Sequence, residues 1–205
     1  MSAPPAVRVA GADEAARVAD VLQDAFADEA GLNYWLRQGR EKDRARRRFF
    51  GAAVRDAIHP RRVLHVAEAD GAALGAAIWL APGDHAYDYS PLQEVLLTPL
   101  LLRIAGIAGM RRALSLGKRL AAHHPQAPHA HLTFLGVRPI AQGRGVGSAI
   151  LKATLAPLDA AGALAFLETS TERNVALYQR HGFEATGLID LPGLRMWTML
   201  RQPRG

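Results

Sequence analysis

Leu135-Gly136-Val137-Arg138-Pro139-Ile140-Ala141-Gln142-Gly143-Arg144-Gly145-Val146-Gly147-Ser148 leaves a strand and enters a helix, with three glycines at the junction. Such a turn points several backbone N–H groups outward at the positive end of a helix dipole, which suits phosphate. Glycines let a pyrophosphate approach the backbone and adopt turn angles that other residues resist. Three pyrophosphate motifs compete for the segment. A Walker loop needs lysine and then Ser or Thr after its last glycine, where this chain has Ser148-Ala149. A Rossmann fingerprint is imitated by Gly143, Gly145 and Glu168, but Ser148 stands at the third glycine position. The third pattern, Arg or Gln, two residues, Gly, one residue, Gly or Ala, is met by Gln142, Gly145 and Gly147.

Outward from this turn, residues 131–137 read as strand, 145–160 as helix, 163–169 as strand, 173–180 as helix, and 183–189 and 195–200 as closing strands. Crossover helices imply parallel pairing, whereas the two closing strands imply antiparallel pairing. Upstream, 7–10 is a short strand, and Ala12-Asp13-Glu14 opens a helix with Ala15, Val18, Ala19, Leu22 and Phe26 at helical spacing. A loop carrying Tyr34 and Trp35 precedes a basic helix over 41–58, which His59-Pro60 closes. Strands 63–69 and 73–80 flank Asp70-Gly71, a tight hairpin turn. Residues 92–123 are expected to be helical, broken at Pro99 and near Gly106 and Gly109, and to cover one side of the sheet. The expected architecture is one mixed α/β domain over 1–205, a parallel and antiparallel sheet of about seven strands flanked by helices.

Composition narrows the chemistry. The 205 residues are 49% hydrophobic and 21% charged, enough for a sizeable core. The absence of cysteine removes disulfides, Cys-ligated zinc and thiol nucleophiles. With neither a basic n-region and apolar h-region at the start nor an uninterrupted apolar span, the expectation is a cytoplasmic protein without a membrane segment. The net charge of +6 comes mostly from arginine and suggests an anionic partner.

Phe166-Leu167-Glu168-Thr169-Ser170, Arg173-Asn174-Val175-Ala176-Leu177-Tyr178 and His181-Gly182-Phe183-Glu184 follow the glycine turn in order. Over residues 130–198 this series resembles the last three motifs of the GNAT superfamily of N-acetyltransferases. It is most similar to the puromycin N-acetyltransferase-like bacterial members, with a looser echo in Ala25-Phe26-Ala27-Asp28. Residues 83–123 match nothing in that pattern. The resemblance implies the GNAT fold and acetyl-CoA as co-substrate. It places Leu135, Gly136 and Val137 along the pantetheine arm, and Gln142, Gly143, Arg144, Gly145, Val146, Gly147 and Ser148 at the pyrophosphate. Arg138 joins Arg144 as a phosphate contact, Asn174 hydrogen-bonds the pantetheine, and Tyr178 gives a proton to the CoA thiolate.

Acetyl transfer to an amine needs a neutral amine, a polarised carbonyl and a proton for the leaving thiolate. Without cysteine the amine attacks directly. Asn174 and Tyr178, four apart on a helix, share one face. Asn174 equally suits the N-cap of that helix. Two strand residues compete as base. His131 titrates near neutrality in its ordinary state, and aligns with the base of histone-modifying members. Glu168 stands where ribosomal-protein alanine acetyltransferases carry theirs and would need a raised pKa or a water relay. Acceptor contacts are expected from Tyr34, Trp35, Trp79, His85, Tyr87 and Tyr89, whose aromatic rings suit a planar or apolar amine. The expected reaction acetylates a primary amine of a small molecule, such as an aminonucleoside. Acetylation of a peptide α-amine, or a silent CoA- or nucleic-acid-binding regulatory module, are the alternatives. No metal is expected, nucleic acid is a minor prospect, and a homodimer is possible.

Overall fold

The computed structural model describes residues 5–57, 62–84 and 91–204, without the side chains of 56, 57, 91, 93 and 94. Along the chain these form β1 (Ala6–Val9), α1 (Ala15–Ala25), α2 (Ala30–Trp35), α3 (Lys42–Ala57), β2 (Arg62–Ala69), β3 (Ala72–Leu80) and α4 (Pro91–His123). They continue through β4 (His129–Val137), α5 (Val146–Ala160), β5 (Leu164–Thr169), α6 (Glu172–Arg180), β6 (Glu184–Leu191) and β7 (Leu194–Arg201). One seven-stranded sheet runs β1-β2-β3-β4-β5-β7-β6. Only β4 and β5 are parallel; the other neighbours are antiparallel. This is the mixed sheet that the alternation of strands and crossover helices requires.

Local chemistry accounts for the joints. Asp70 and Gly71 both take positive φ, 51° and 76°, so the turn between β2 and β3 has the twist a two-residue hairpin prefers. Along β3, Ile78 joins the core beneath α1 and α3, while Ala77 and Trp79 join the core beneath α5, as strand alternation dictates. Phe26, Phe49, Phe50 and Phe134 interlock on the first face with centroids 5.1–5.7 Å apart. Gly136 has no side chain because α1 lies against it: a Cβ there would stand 2.7 Å from the Ala25 Cβ.

Two elements depart from the sequence reading. Tyr34 and Trp35 lie not in a loop but in α2, started by Glu29, whose carboxylate accepts from the Gly31 and Leu32 amides at 3.0 and 2.6 Å. In α4, Pro99 does not break the helix; the kink is at Gly106, with φ 66° and ψ 177°. Arg37 captures the carbonyls freed there. Its Nε donates to Arg103 O at 2.7 Å, Nη2 to Leu102 O at 3.0 Å, and its amide to Ile104 O at 2.8 Å. Beyond the kink, α4 runs back over β6 and β7, where Leu116 packs with Ile189, Leu194 and Met196. Among the described residues no helix is long and apolar enough to cross a membrane.

Candidate active site

The parallel pairing of β4 with β5 covers only residues 129–132 and 164–167. Past that point β4 continues to Val137 with β3 alone beside it, and a cleft of about 1600 Å³ opens on the side that β5 has left. A bulge at Thr133 shapes its floor. Ile78 pairs with Phe134 and Trp79 with Leu132, so the extra residue keeps His131 and Phe134 on the same face of the sheet.

The glycine turn closes one end. Gly143 and Gly145 take φ of 74° and 80°, angles that disfavour any side chain. The first helical bond of α5 runs from the Ala149 amide to Gly145 O at 2.9 Å, leaving the amides of Val146, Gly147 and Ser148 at the open helix end. Gln142 fastens the turn by donating to Val137 O at 3.2 Å. Ser148 lines the cleft, with its hydroxyl in a 2.7 Å hydrogen bond to His181 Nε2.

Asn174 and Tyr178 share the cleft-facing side of α6. Thr171 is the N-cap and the helix starts at Glu172, so Asn174 is its third residue rather than its cap. Tyr178 is 6% exposed, and burial, reinforced by the charge of Glu29, pushes its phenol well above the ordinary value. Its proton therefore stays on at neutral pH. Glu29 also accepts the Ser170 hydroxyl, tying α2 to the turn before α6.

At the far end His131 and Glu168, the two rival bases, are partners. His131 Nε2 lies 2.7 Å from Glu168 Oε2, and His124, at the end of α4, brings its Nε2 to 3.8 Å from Oε1. Burial alone would raise the Glu168 pKa. The charge and hydrogen bond of His131, with the fields of His124 and His129, outweigh it, and the carboxyl sits below its ordinary value. A carboxylate so stabilised is a weak base by itself, while it orients the imidazole beside it.

Eleven of the thirteen residues expected at the coenzyme line the cleft: Leu135, Gly136, Val137, Gln142, Gly143, Gly145, Val146, Gly147, Ser148, Asn174 and Tyr178. Arg138 does not. Its guanidinium is paired with Asp24, and its Nε donates to Ala73 O at 3.0 Å, clasping β4 to α1 and β3. Arg144 is exposed on the turn and is also outside the lining, whereas Arg173 and Arg180 of α6 lie within it. Of the expected acceptor residues, Trp35 lines the cleft. Tyr34 instead packs near Leu116 with Arg112 over its ring at 5.8 Å. Trp79, 5% exposed, is core beneath α5, because its strand parity turns it away from the cleft. His85, Tyr87 and Tyr89 lie outside the described residues. Glu29 and His124 went unrecognised in the sequence. Asp28-Glu29 ahead of Ala30 was a readable cap signal, but no local pattern shows what His124 faces.

A family model for the acetyltransferase (GNAT) domain matches residues 60–185, more than half of the chain. The chain belongs to the GNAT acetyltransferases: it is an N-acetyltransferase, and acetyl-CoA is its donor. A solved structure described as histone acetyltransferase HPA2 and related acetyltransferase, from Corynebacterium glutamicum, is similar at 25% identity and TM-score 0.77, covering 99% of this chain and 98% of that one. The PaiA N-acetyltransferase of Thermoplasma acidophilum, solved with coenzyme A, shares the fold at 12% identity and TM-score 0.60, covering 98% and 99%. So does the ribosomal-protein-S18-alanine N-acetyltransferase of Escherichia coli, at 13% identity and TM-score 0.58, covering 97% and 94%.

Proposed function

We propose that this enzyme acetylates a primary amine of a small molecule with an apolar or aromatic body, in a ternary complex with acetyl-CoA. The observation that carries this reading is the wall built by α4. Leu116, Gly117, Leu120, Ala121 and His124 line the acceptor end together with Trp35, Phe49 and Met196. An apolar wall beside the largely buried Glu168 carboxylate suits a compact ammonium ion with an apolar body, whereas a peptide terminus needs room for the chain that follows it.

The coenzyme lies with its pantetheine along the unpaired edge of β4 at Leu135, Gly136 and Val137, its pyrophosphate on the turn from Gln142 to Ser148, and Asn174 bonded to the arm. This places the thioester between Tyr178 and the Glu168–His131 pair. The pair takes a proton from the ammonium, and the freed amine attacks the carbonyl carbon. The C–S bond then breaks with Tyr178 protonating the departing thiolate, and the second proton of the attacking nitrogen passes to the Tyr178 phenolate, leaving a neutral amide. The amide and CoA are the products, with no enzyme-bound acyl group.

The test is an acceptor panel of small aromatic and aliphatic amines and peptides with varied N-terminal residues, assayed by mass spectrometry for the acetyl mass increment. Acetylation of small amines supports the reading. Turnover confined to peptide α-amines overturns it.

A further inference from the structure

His124, His131 and Glu168 come from three separate places in the fold, just past the end of α4, on β4 and on β5, yet their donor atoms all lie within 4.8 Å of one another. We propose that these three residues form an inhibitory site for a divalent transition-metal ion of the zinc class at the acceptor end of the cleft. The proposal rests on the reading of Glu168 and His131 as the proton-accepting pair.

The donor set is selective. Two imidazole nitrogens and one carboxylate suit zinc and its neighbours, whereas magnesium and calcium want oxygen alone. The spacing also fits. A tetrahedral ion with donors at about 2.0–2.1 Å holds them about 3.3 Å apart. His131 Nε2 stands 2.7 Å from Glu168 Oε2 and His124 Nε2 3.8 Å from Glu168 Oε1, on either side of that separation, and all three donors fall within 4.8 Å. For one ion to meet all three donors the carboxylate and the His124 ring, which packs 4.7 Å from the Phe166 ring and 5.0 Å from the His131 ring, must turn toward it. All three residues line the cleft. Three protein donors leave a fourth position for water or the acceptor amine, the arrangement of open rather than structural zinc sites.

The surroundings limit the strength of binding. Metal-bound histidine ordinarily donates its second ring N–H to an acceptor, and loss of such support costs about 10–100-fold in affinity. His131 Nδ1 is buried and has no hydrogen-bond partner. The site is therefore one that zinc enters and leaves, and occupation blocks turnover because the ion takes the lone pairs that would receive the proton from the ammonium.

Untagged enzyme stripped with a chelator is titrated with Zn²⁺ by calorimetry and with Co²⁺ by visible absorption, with acetyl-CoA titration and circular dichroism as controls for folding. The expected result is one equivalent bound with a tetrahedral Co²⁺ band. His124→Gln and Glu168→Gln should each weaken binding by at least about tenfold, and zinc should inhibit acetylation of a panel amine in the wild type over the calorimetric concentration range. No saturable binding, or equal affinity in the wild type and both variants, overturns the site. Zinc binding without inhibition overturns its inhibitory role. Chelated enzyme that still acetylates amines and loses this in Glu168→Gln would uphold the proton-accepting pair even if zinc fails to bind, so the two failures are separable.

Discussion

His131 and Glu168 sit on adjacent parallel strands around the last shared rung, with His131 opposite Phe166 and its Nε2 2.7 Å from the carboxylate two residues further along β5. The strands part immediately afterwards, so the pair stands where the cleft begins. Glu168→Gln is expected to lower turnover by about 100-fold or more, within the range for general base catalysis, while acetyl-CoA affinity stays unchanged. The histidines hold the Glu168 carboxyl below its ordinary value, so it remains ionised as the pH falls through the usual carboxylate range. Protonation of that carboxyl should therefore not limit activity across that range, and His131→Asn, which removes its main stabilising partner and leaves burial to raise it, should move an acid limb of the pH–rate profile upward. A wild-type limb at pH 4–5, in the range of ordinary carboxylates, would mean that the histidines do not hold the Glu168 carboxyl below its ordinary value.

On the proposed mechanism Tyr178→Phe removes the proton for the departing thiolate while leaving the ring that packs on Phe183 at 5.8 Å. Turnover should fall by about 100-fold with acetyl-CoA affinity within about twofold. Burial and Glu29 raise the phenol's pKa, so its protonated form persists on the alkaline side. The wild-type rate should thus show no Tyr178 limb below pH about 10, the ordinary tyrosine value. Stopped-flow release of CoA measured to high pH tests both statements.

The glycine turn separates fold from binding. A Cβ at Gly147 would meet Leu177 and Val137 at 3.6 and 3.7 Å, ordinary contact, and Gly147 is not among the glycines with positive φ. Gly147→Ala should fold normally. Gly147→Glu should also fold but bind acetyl-CoA at least about tenfold more weakly, since its charge opposes a pyrophosphate at a helix N-terminus. Calorimetric titration beside thermal melting checks the pair. Equal acetyl-CoA affinity in wild type and Gly147→Glu would remove the pyrophosphate from this turn.

The last third of the chain was legible because its signals are local. Short apolar runs mark β4 and β5, and Gly143, Gly145 and Gly147 stand at fixed spacing around the start of a helix. Asn174 and Tyr178 are held together by helical geometry alone. Tertiary relations were not legible. Nothing near Trp79 says that strand parity turns it under α5, nor near Arg138 that Asp24 claims its guanidinium. His131 and Glu168 look like rivals in sequence because they are 37 residues apart, and become partners only through parallel pairing.

Arg37 fixes the direction of α4 at Gly106 by holding the carbonyls of Leu102 and Arg103. Arg37→Ala should cost about 1–2 kcal/mol, the scale of charge-assisted bonds reduced by partial exposure. Because Leu116, Leu120 and His124 follow the kink and line the cleft, KM for the amine should rise more than KM for acetyl-CoA. Equal rises in both constants would show that α4 does not form the acceptor wall.

Asp159 anchors the C-terminal end of the sheet away from the cleft. It accepts from the two terminal guanidinium nitrogens of Arg201 at 2.6 and 2.7 Å and from the Arg204 amide at 2.8 Å. Arg201, with that amide, lowers the Asp159 pKa from 3.8 to about 2. A carboxyl whose folded pKa is depressed stabilises the fold above its unfolded value and loses that contribution as pH falls through the folded one. The window is therefore about pH 4 down to 2. Asp159→Asn should destabilise by about 1–3 kcal/mol at neutral pH, leave acetyl-CoA affinity intact, and narrow its deficit against wild type as the pH drops through that window. Denaturant melts of both proteins at neutral and acid pH measure this. A deficit that stays constant across the window would show that the Asp159 charge adds nothing beyond its hydrogen bonds.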